Sequence, residues 1–163
     1  IASVVPQWFT LPHQINATLP NIVANDTAYV AMRAVQFFLP GEPQVYYVGL
    51  FNGMDDVELF NRTEQGRDVN RHHYTPAEIE QALSQPVSQA IIALARLRKL
   101  RAFDGSFSWA VTGHDSIELR WDNDDDSLSL KLVTAVGAPS FVIESLESGV
   151  TRSFASVAEL AQA

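Results

Sequence analysis

The sequence predicts an α/β segment followed by a small antiparallel β module. In the first part, a helical apolar period, a Pro-Gly turn and a short β-branched run follow one another between residues 26 and 49. In the second part, apolar and polar residues alternate in short runs between residues 106 and 143. We therefore predict two domains, residues 1–103 and residues 104–163.

Composition limits the classes of function. The chain has 163 residues, of which 47% are hydrophobic and 18% are charged, and this composition is typical of a globular protein. The absence of cysteine excludes disulfides, thiolate metal sites and cysteine nucleophiles. A formal net charge of −8 argues against nucleic-acid binding. No apolar run predicts a membrane span and no signal segment opens the chain, so we expect a cytoplasmic location without membrane partners.

The first predicted elements are a helix and a strand. Three prolines interrupt residues 1–25, which we expect to be irregular. A helix is predicted from Asp26 or Thr27 up to Pro40 and Gly41, because one face collects apolar residues at helical spacing. Residues 44–49 are apolar on both faces and predict a strand buried on both sides, as in a parallel sheet under helices.

A long polar stretch at residues 50–74 has no clear period and predicts a functional loop. It follows the carboxyl end of the predicted strand, which is the edge where α/β folds place their chemistry. Thr75 and Glu78 then form a capping-box pattern around Pro76, so a helix should begin there. We expect this helix to break near residues 84–86 and to resume over residues 87–99.

Four short runs, of which the first three alternate, predict the strands of the second part. They lie at residues 106–109, 117–121, 128–132 and 141–143. The acidic residues 122–126 lack the register of an EF-hand calcium loop and predict a hairpin turn instead. Residues 150–163 are expected to form a weakly helical or frayed tail.

The segment 66–74, GRDVNRHHY, is open to four interpretations. Asp68, His72 and His73 could ligate a divalent metal, although no established ligand spacing supports this. Gly66 and Arg67 could hold a phosphate, but the segment is not glycine-rich. The polar side chains could form a structural network. Finally, planar Arg and Asp groups match vicinal sugar hydroxyls, and aromatic faces stack on sugar rings.

Two segments carry a resemblance to a known family. Residues 33–49, RAVQFFLPGEPQVYYVG, and residues 66–72, GRDVNRH, resemble the sucrose-phosphorylase-like enzymes of glycoside hydrolase family 13. The resemblance extends from about residue 14 to residue 105. It implies the C-terminal end of a (β/α)8 barrel: helix 7 and strand 8 at residues 26–49, the following loop at 50–74 and helix 8 at 75–100. A small antiparallel β domain would follow at residues 106–147.

The resemblance also implies an activity and its partners. Such enzymes transfer a glucosyl group with retention, through a carboxylate nucleophile and a carboxylic acid–base, and phosphate replaces water in the second step. All catalytic carboxylates would precede Ile1, so we assign no catalytic residue here and expect the chain alone to be inert. No cofactor or metal is expected. The implied partners are a small sugar or sugar phosphate, inorganic phosphate and the missing N-terminal part of the barrel, with a homodimer as an option.

Three substrate-binding residues follow from the same resemblance. Arg67 matches the arginine that holds hydroxyls of the glucosyl ring. His13 and Gln14 match the acceptor-site loop, which reads LYQVN in sucrose phosphorylases and PHQIN at residues 12–16 here. Considered without the resemblance, His13 would be an ordinary loop histidine.

The imidazole in place of tyrosine favours an anionic acceptor and hence sucrose 6-phosphate over sucrose. The alternatives are a glucosylglycerate or glucosylglycerol phosphorylase, a sucrose-hydrolysing relative, and a non-catalytic sugar-binding or partner subunit.

Overall fold

Helices precede one antiparallel sheet in this chain. The computed structural model describes residues 16–135 and 138–163. The helices are α1 (Leu19–Val23), α2 (Asp26–Phe38), α3 (Tyr47–Leu50), α4 (Val57–Thr63), α5 (Pro76–Leu83), α6 (Pro86–Leu97) and α7 (Val157–Leu160). The strands are β1 (Ser106–Gly113), β2 (Ser116–Asn123), β3 (Asp126–Val133), β4 (Ser140–Glu147) and β5 (Val150–Phe154). Of the helices within the described ranges, none is long and apolar enough to span a bilayer.

The capping signals correctly located the main helices. The Asn25 side chain accepts a hydrogen bond from Ala28 N at 2.9 Å and begins α2 at Asp26. The capping box predicted at Thr75 and Glu78 is present in both directions. The predicted interruption divides the following helix into α5 and α6, with Pro86 at the first position of α6.

The strand predicted at residues 44–49 is wrong. The chain is irregular over residues 42–46 and becomes helical in α3, although Tyr46 itself is extended, with φ −69° and ψ 144°. A strand needs a neighbour to pair its backbone groups, and all five strands of the described chain pair with one another beyond residue 105. Gly49 permits a close approach here, since a side chain at this position would collide with the Arg33 guanidinium.

Two stretches are more regular than predicted. The expected loop at residues 50–74 contains α4 and a 3-10 turn, Gly66–Asn70. The expected irregular start contains α1, which Thr18 caps. Each of these elements has seven residues or fewer, which is too short for a hydrophobic period to be recognised.

The predicted antiparallel sheet is confirmed, and it has a fifth strand. All neighbouring strands are consecutive in the chain, in the order β1 to β5. The acidic segment makes the predicted hairpin turn between Asn123 and Asp126, with Asp124 at φ 52°. The prediction of a helical or frayed tail is wrong for residues 150–154, because they form β5 against β4, and α7 follows.

An apolar core joins α2, α6 and α7 to the sheet. One face of β2, β3 and β4 packs against α2, and α2 also packs against α6. Trp121 of β2 donates its indole Nε1–H to the carbonyl oxygen of Phe38 at 2.6 Å. This carbonyl belongs to the last turn of α2, where helix carbonyls lack partners within the helix. The 3-10 turn Arg101–Asp104 leads from α6 into β1.

Candidate functional site

The 3-10 turn Gly66–Asn70 presents Arg67 to solvent. Val69 is fully buried and anchors the turn, whereas Arg67 is exposed. The turn is closed by backbone hydrogen bonds at both ends, from Asp68 N to Gln65 O at 2.9 Å and from Arg71 N to Asp68 O at 3.1 Å. The Arg67 guanidinium makes no hydrogen bond or ion pair with another described residue. Arg67 is therefore an exposed cation on a turn whose backbone is held by hydrogen bonds.

Asp56 connects this turn to its surroundings. Its backbone N–H donates to Val69 O at 2.7 Å. Its Oδ1 accepts from Leu59 N at 2.7 Å and caps α4, while its Oδ2 lies 2.6 Å from His72 Nδ1. Burial alone would raise the pKa of Asp56, but the hydrogen bonds from Leu59 and His72 outweigh it and hold the pKa below its ordinary value.

His72 lies between two carboxylates. Besides the contact with Asp56, its Nε2 is 3.5 Å from Oε1 of Glu78. The other oxygen of Glu78 accepts from Thr75 N and Oγ1, both at 2.7 Å, as part of the capping box of α5. These bonds, with a smaller contribution from His72, lower the pKa of Glu78. The imidazole therefore lies between Asp56, the N-cap residue of α4, and Glu78, the third residue of α5.

One aromatic ring packs against the imidazole of His72. The Tyr74 ring stands edge-on to the imidazole with centroids 4.6 Å apart, and Phe51 packs edge-on against Tyr74. The Tyr47 hydroxyl donates to the backbone carbonyl of His72 at 3.0 Å. Burial, followed by the neighbouring Tyr46, raises the pKa of Tyr47 to about 12, so this donor keeps its proton at physiological pH.

An open, acidic cleft lies beside this cluster. It has a volume of about 460 Å³ and is lined by residues 54–58, His72 and Tyr74. Three of its lining residues are carboxylates, Asp55, Asp56 and Glu58. Such a surface can accept hydrogen bonds from hydroxyl groups and disfavours anions.

Asn16, the last residue of the predicted acceptor-loop segment 12–16, lies beside the Arg67 turn. The Asn16 side chain lies against Gly66, so that a side chain added at Gly66 would come within 2.7 Å of Asn16 Nδ2. Thr18 N donates to Asp55 Oδ1 at 2.6 Å and fastens this segment to the start of α4. The predicted substrate-binding residues His13 and Gln14 lie outside the described residues.

The structure argues against a metal site at residues 66–74 and shows a structural network in part of this segment. Nowhere in residues 16–135 and 138–163 do three or more His, Asp or Glu side chains form a group that could hold a metal ion, and this includes Asp68, His72 and His73. A structural network does exist, but it consists of His72 with Asp56 and Glu78. Arg67 stays outside this network.

Sequence reasoning missed the role of Asp56. Both Asp55 and Asp56 accept hydrogen bonds from backbone N–H groups, those of Thr18 and Leu59 respectively. The position of Asp56 immediately before α4 is an N-cap signal, which the short length of the helix concealed. Glu78 was predicted for its helix cap, but its proximity to His72 depends on the tertiary fold.

Comparison with known proteins shows sequence relatives of one kind. No protein-family model matches the chain. It is 48% identical over 120 residues to sucrose phosphorylase from Bifidobacterium adolescentis, covering 72% of this chain and 24% of that protein. It is 45% identical over 120 residues to sucrose 6(F)-phosphate phosphorylase from Thermoanaerobacterium thermosaccharolyticum, covering 72% and 25%. It is 39% identical over 132 residues to glucosylglycerol phosphorylase from Marinobacter adhaerens, covering 80% and 28%.

The fold is similar to that of a solved relative. The crystal structure of sucrose 6F-phosphate phosphorylase from Thermoanaerobacter thermosaccharolyticum matches with a TM-score of 0.81 and 36% identity, over 88% of this chain and 30% of that one. The chain is thus a homologue of glucoside phosphorylases. More narrowly, it is a homologue of the sucrose and sucrose 6F-phosphate phosphorylases of glycoside hydrolase family 13, and it matches a C-terminal portion of them. It spans about a quarter of the length of these curated relatives.

Proposed function

We propose that the chain is the C-terminal part of a retaining α-glucoside phosphorylase. The enzyme transfers a glucosyl group from sucrose 6-phosphate, or from sucrose, to inorganic phosphate. The products are α-glucose 1-phosphate and fructose 6-phosphate or fructose. The observation that carries the proposal is the identity of 45–48% with phosphorylases of these two donors.

In this proposal the helical part completes a (β/α)8 barrel. Residues 1–103 belong to the barrel and residues 104–163 form the appended β domain. Helix α2 acts as barrel helix 7, and α5 with α6 act as helix 8. The catalytic carboxylates lie in the preceding part of the enzyme.

Arg67 binds the glucosyl ring in this proposal. Its exposure on an anchored turn supports the role, because a guanidinium can donate two parallel hydrogen bonds and so fix the orientation of a sugar. His13 and Gln14 shape the acceptor site, and His13 binds the phosphate of the sucrose 6-phosphate donor. The contact of Asn16 with Gly66 supports this arrangement, since it brings the end of the acceptor loop to the Arg67 turn.

Replacing Arg67 tests the binding role. In the complete enzyme, Arg67→Ala should lower kcat/KM for glucose 1-phosphate formation by about a hundredfold or more, because charge-assisted hydrogen bonds to the ring are lost. Arg152→Ala, on the exposed side of β5, serves as the matched control and should leave kcat/KM unchanged. Near-normal turnover by Arg67→Ala would refute the role. Release of free glucose without added phosphate, in place of glucose 1-phosphate, would identify a hydrolase instead.

Replacing His13 tests the donor. A charge-assisted contact with phosphate is worth about 1.5–3 kcal/mol, which corresponds to a preference of about tenfold to a hundredfold. His13→Tyr should therefore shift the ratio of kcat/KM values from sucrose 6-phosphate towards sucrose. An unchanged ratio would exclude the contact.

The match to glucosylglycerol phosphorylase covers the largest share of this chain among the three relatives above. We keep glucosylglycerol as a second candidate donor because the chain is 39% identical to this relative. Measuring kcat/KM for this compound in the same assay separates the two candidates. We also propose that the enzyme acts in the cytoplasm.

A further inference from the structure

The turn that carries Arg67 is held at two points by one residue, Asp56. Asp56 accepts the N–H of Leu59 and donates its own N–H to Val69 O, in the middle of the turn. Its Oδ2 also holds His72, just beyond the end of the turn, at 2.6 Å. The turn is therefore connected to α4 both through Val69 and through the imidazole. If the imidazole is removed, the connection to Asp56 beyond Val69 is lost.

His72 in turn connects the segment to α5. Its Nδ1 donates to Asp56, which leaves Nε2 towards Glu78 at 3.5 Å. Because Oε2 of Glu78 is engaged by Thr75, Oε1 is the oxygen that remains for the imidazole. Tyr47 holds the His72 carbonyl from a third direction. His72 is thereby held at its main chain and at Nδ1, and its Nε2 lies near Glu78, while it makes no hydrogen bond with Arg67.

We propose that His72 is the positioning residue for Arg67. It fastens the C-terminal end of the Gly66–Asn70 turn to Asp56 and Glu78, and so sets where the guanidinium meets the glucosyl ring. The inference rests on the proposed function for the identity of the ligand that Arg67 binds. Its structural content, the restraint of the turn by His72, can be measured separately.

Kinetics of the complete enzyme test the positioning role. His72→Ala should raise the KM for the glucosyl donor about tenfold, below the roughly hundredfold loss that a misplacement of about 1 Å can cause. A smaller folded fraction would lower the apparent kcat and leave KM unchanged, so KM separates positioning from mere stabilisation. His72→Asn keeps a side-chain N–H that can donate to Asp56, so its KM should lie close to that of the unaltered enzyme. His73→Ala, at the adjacent exposed histidine, is the matched control and should keep the KM of the unaltered enzyme.

A double-mutant cycle tests whether His72 acts through Arg67. In an Arg67→Ala background, His72→Ala should raise KM by less than about twofold, because there is no guanidinium left to position. The same tenfold factor in both backgrounds would overturn the proposal, as would a KM in His72→Ala equal to that in His73→Ala. If His72→Ala does not fold, Glu78→Gln retains the helix cap and removes the charge that faces Nε2. An unchanged KM in Glu78→Gln would then overturn the proposal.

Spectroscopy separates this inference from the proposed function. If the unaltered enzyme forms no glucose 1-phosphate from any donor, the proposed function fails. The restraint is then measured by the backbone amide resonances of residues 66–70 in ¹⁵N-labelled protein. They should shift in His72→Ala and remain in place in His73→Ala. Unshifted resonances in His72→Ala would overturn the restraint itself.

Discussion

At the scale of single residues, Asp56 organises more of the site than its place in the sequence suggests. One carboxylate caps α4 and holds His72, and the backbone of the same residue restrains the turn that carries Arg67. The chain thereby places an exposed arginine on a rigid support, as a binding site requires. The resemblance identified Arg67 from the sequence. The contacts that support its turn join Asp56 to Val69 and to His72, which lie 13 and 16 positions further along the chain.

The pH dependence of stability should report on Asp56. Its pKa in the folded chain is below the ordinary value of 3.8, so its contribution is complete above that value. The contribution is lost as the pH falls through the lowered pKa, because protonation breaks the charged bond to His72. Asp56→Asn should reduce the free energy of unfolding by about 1 kcal/mol at pH 7 and by less near pH 2. Urea unfolding at a series of pH values measures this difference.

Asp124→Asn is the matched control for that experiment. Asp124 is exposed in a hairpin turn at φ 52°, a conformation that asparagine also adopts. Its stability curve should follow that of the unaltered protein across the pH range. If Asp56→Asn also follows it, Asp56 has no charged interaction that stabilises the fold.

At the scale of elements, the sequence predicted those helices and strands that depend on local signals such as helix caps and apolar spacing. The apolar period located α2, the capping box at Thr75 located the start of α5, and alternation located the first three strands. The two segments that were assigned the wrong kind of element depend on their neighbours. Residues 44–49 have strand composition without a strand beside them in the described chain, and β5 forms because β4 offers an edge.

The link between α2 and the sheet yields a prediction of its own. Trp121→Phe removes the indole donor and leaves the Phe38 carbonyl without its partner in a buried position. We expect the free energy of unfolding to fall by about 1–3 kcal/mol. Chemical denaturation measures this change. Trp109→Phe, the same substitution at a residue that is 67% exposed in β1, should alter it by less than about 0.5 kcal/mol. Equal effects of the two substitutions would show that the hydrogen bond contributes nothing.

At the scale of the whole molecule, the predicted division into residues 1–103 and 104–163 stays a prediction, and the core bears on it. Buried side chains of α2, α6 and strands β2 to β4 form one continuous cluster. A boundary that is visible in the sequence as a change of period need not separate two cooperative units, because each part covers apolar surface of the other. Helices and sheet should therefore unfold together in the 163-residue protein.

Two probes and one core substitution test this cooperativity. In a Trp8→Phe background, the two remaining tryptophans both lie in the sheet, so fluorescence reports on the sheet and far-UV circular dichroism mainly on the helices. Their denaturation midpoints should coincide. Ile91→Ala, in the buried face of α6, should destabilise by about 2–4 kcal/mol and shift the fluorescence midpoint as far as the dichroism midpoint. Met32→Ala, at an exposed position of α2, should shift neither. A fluorescence midpoint that does not respond to Ile91→Ala would show that the sheet folds as an independent domain, as the change of period at residue 104 suggests.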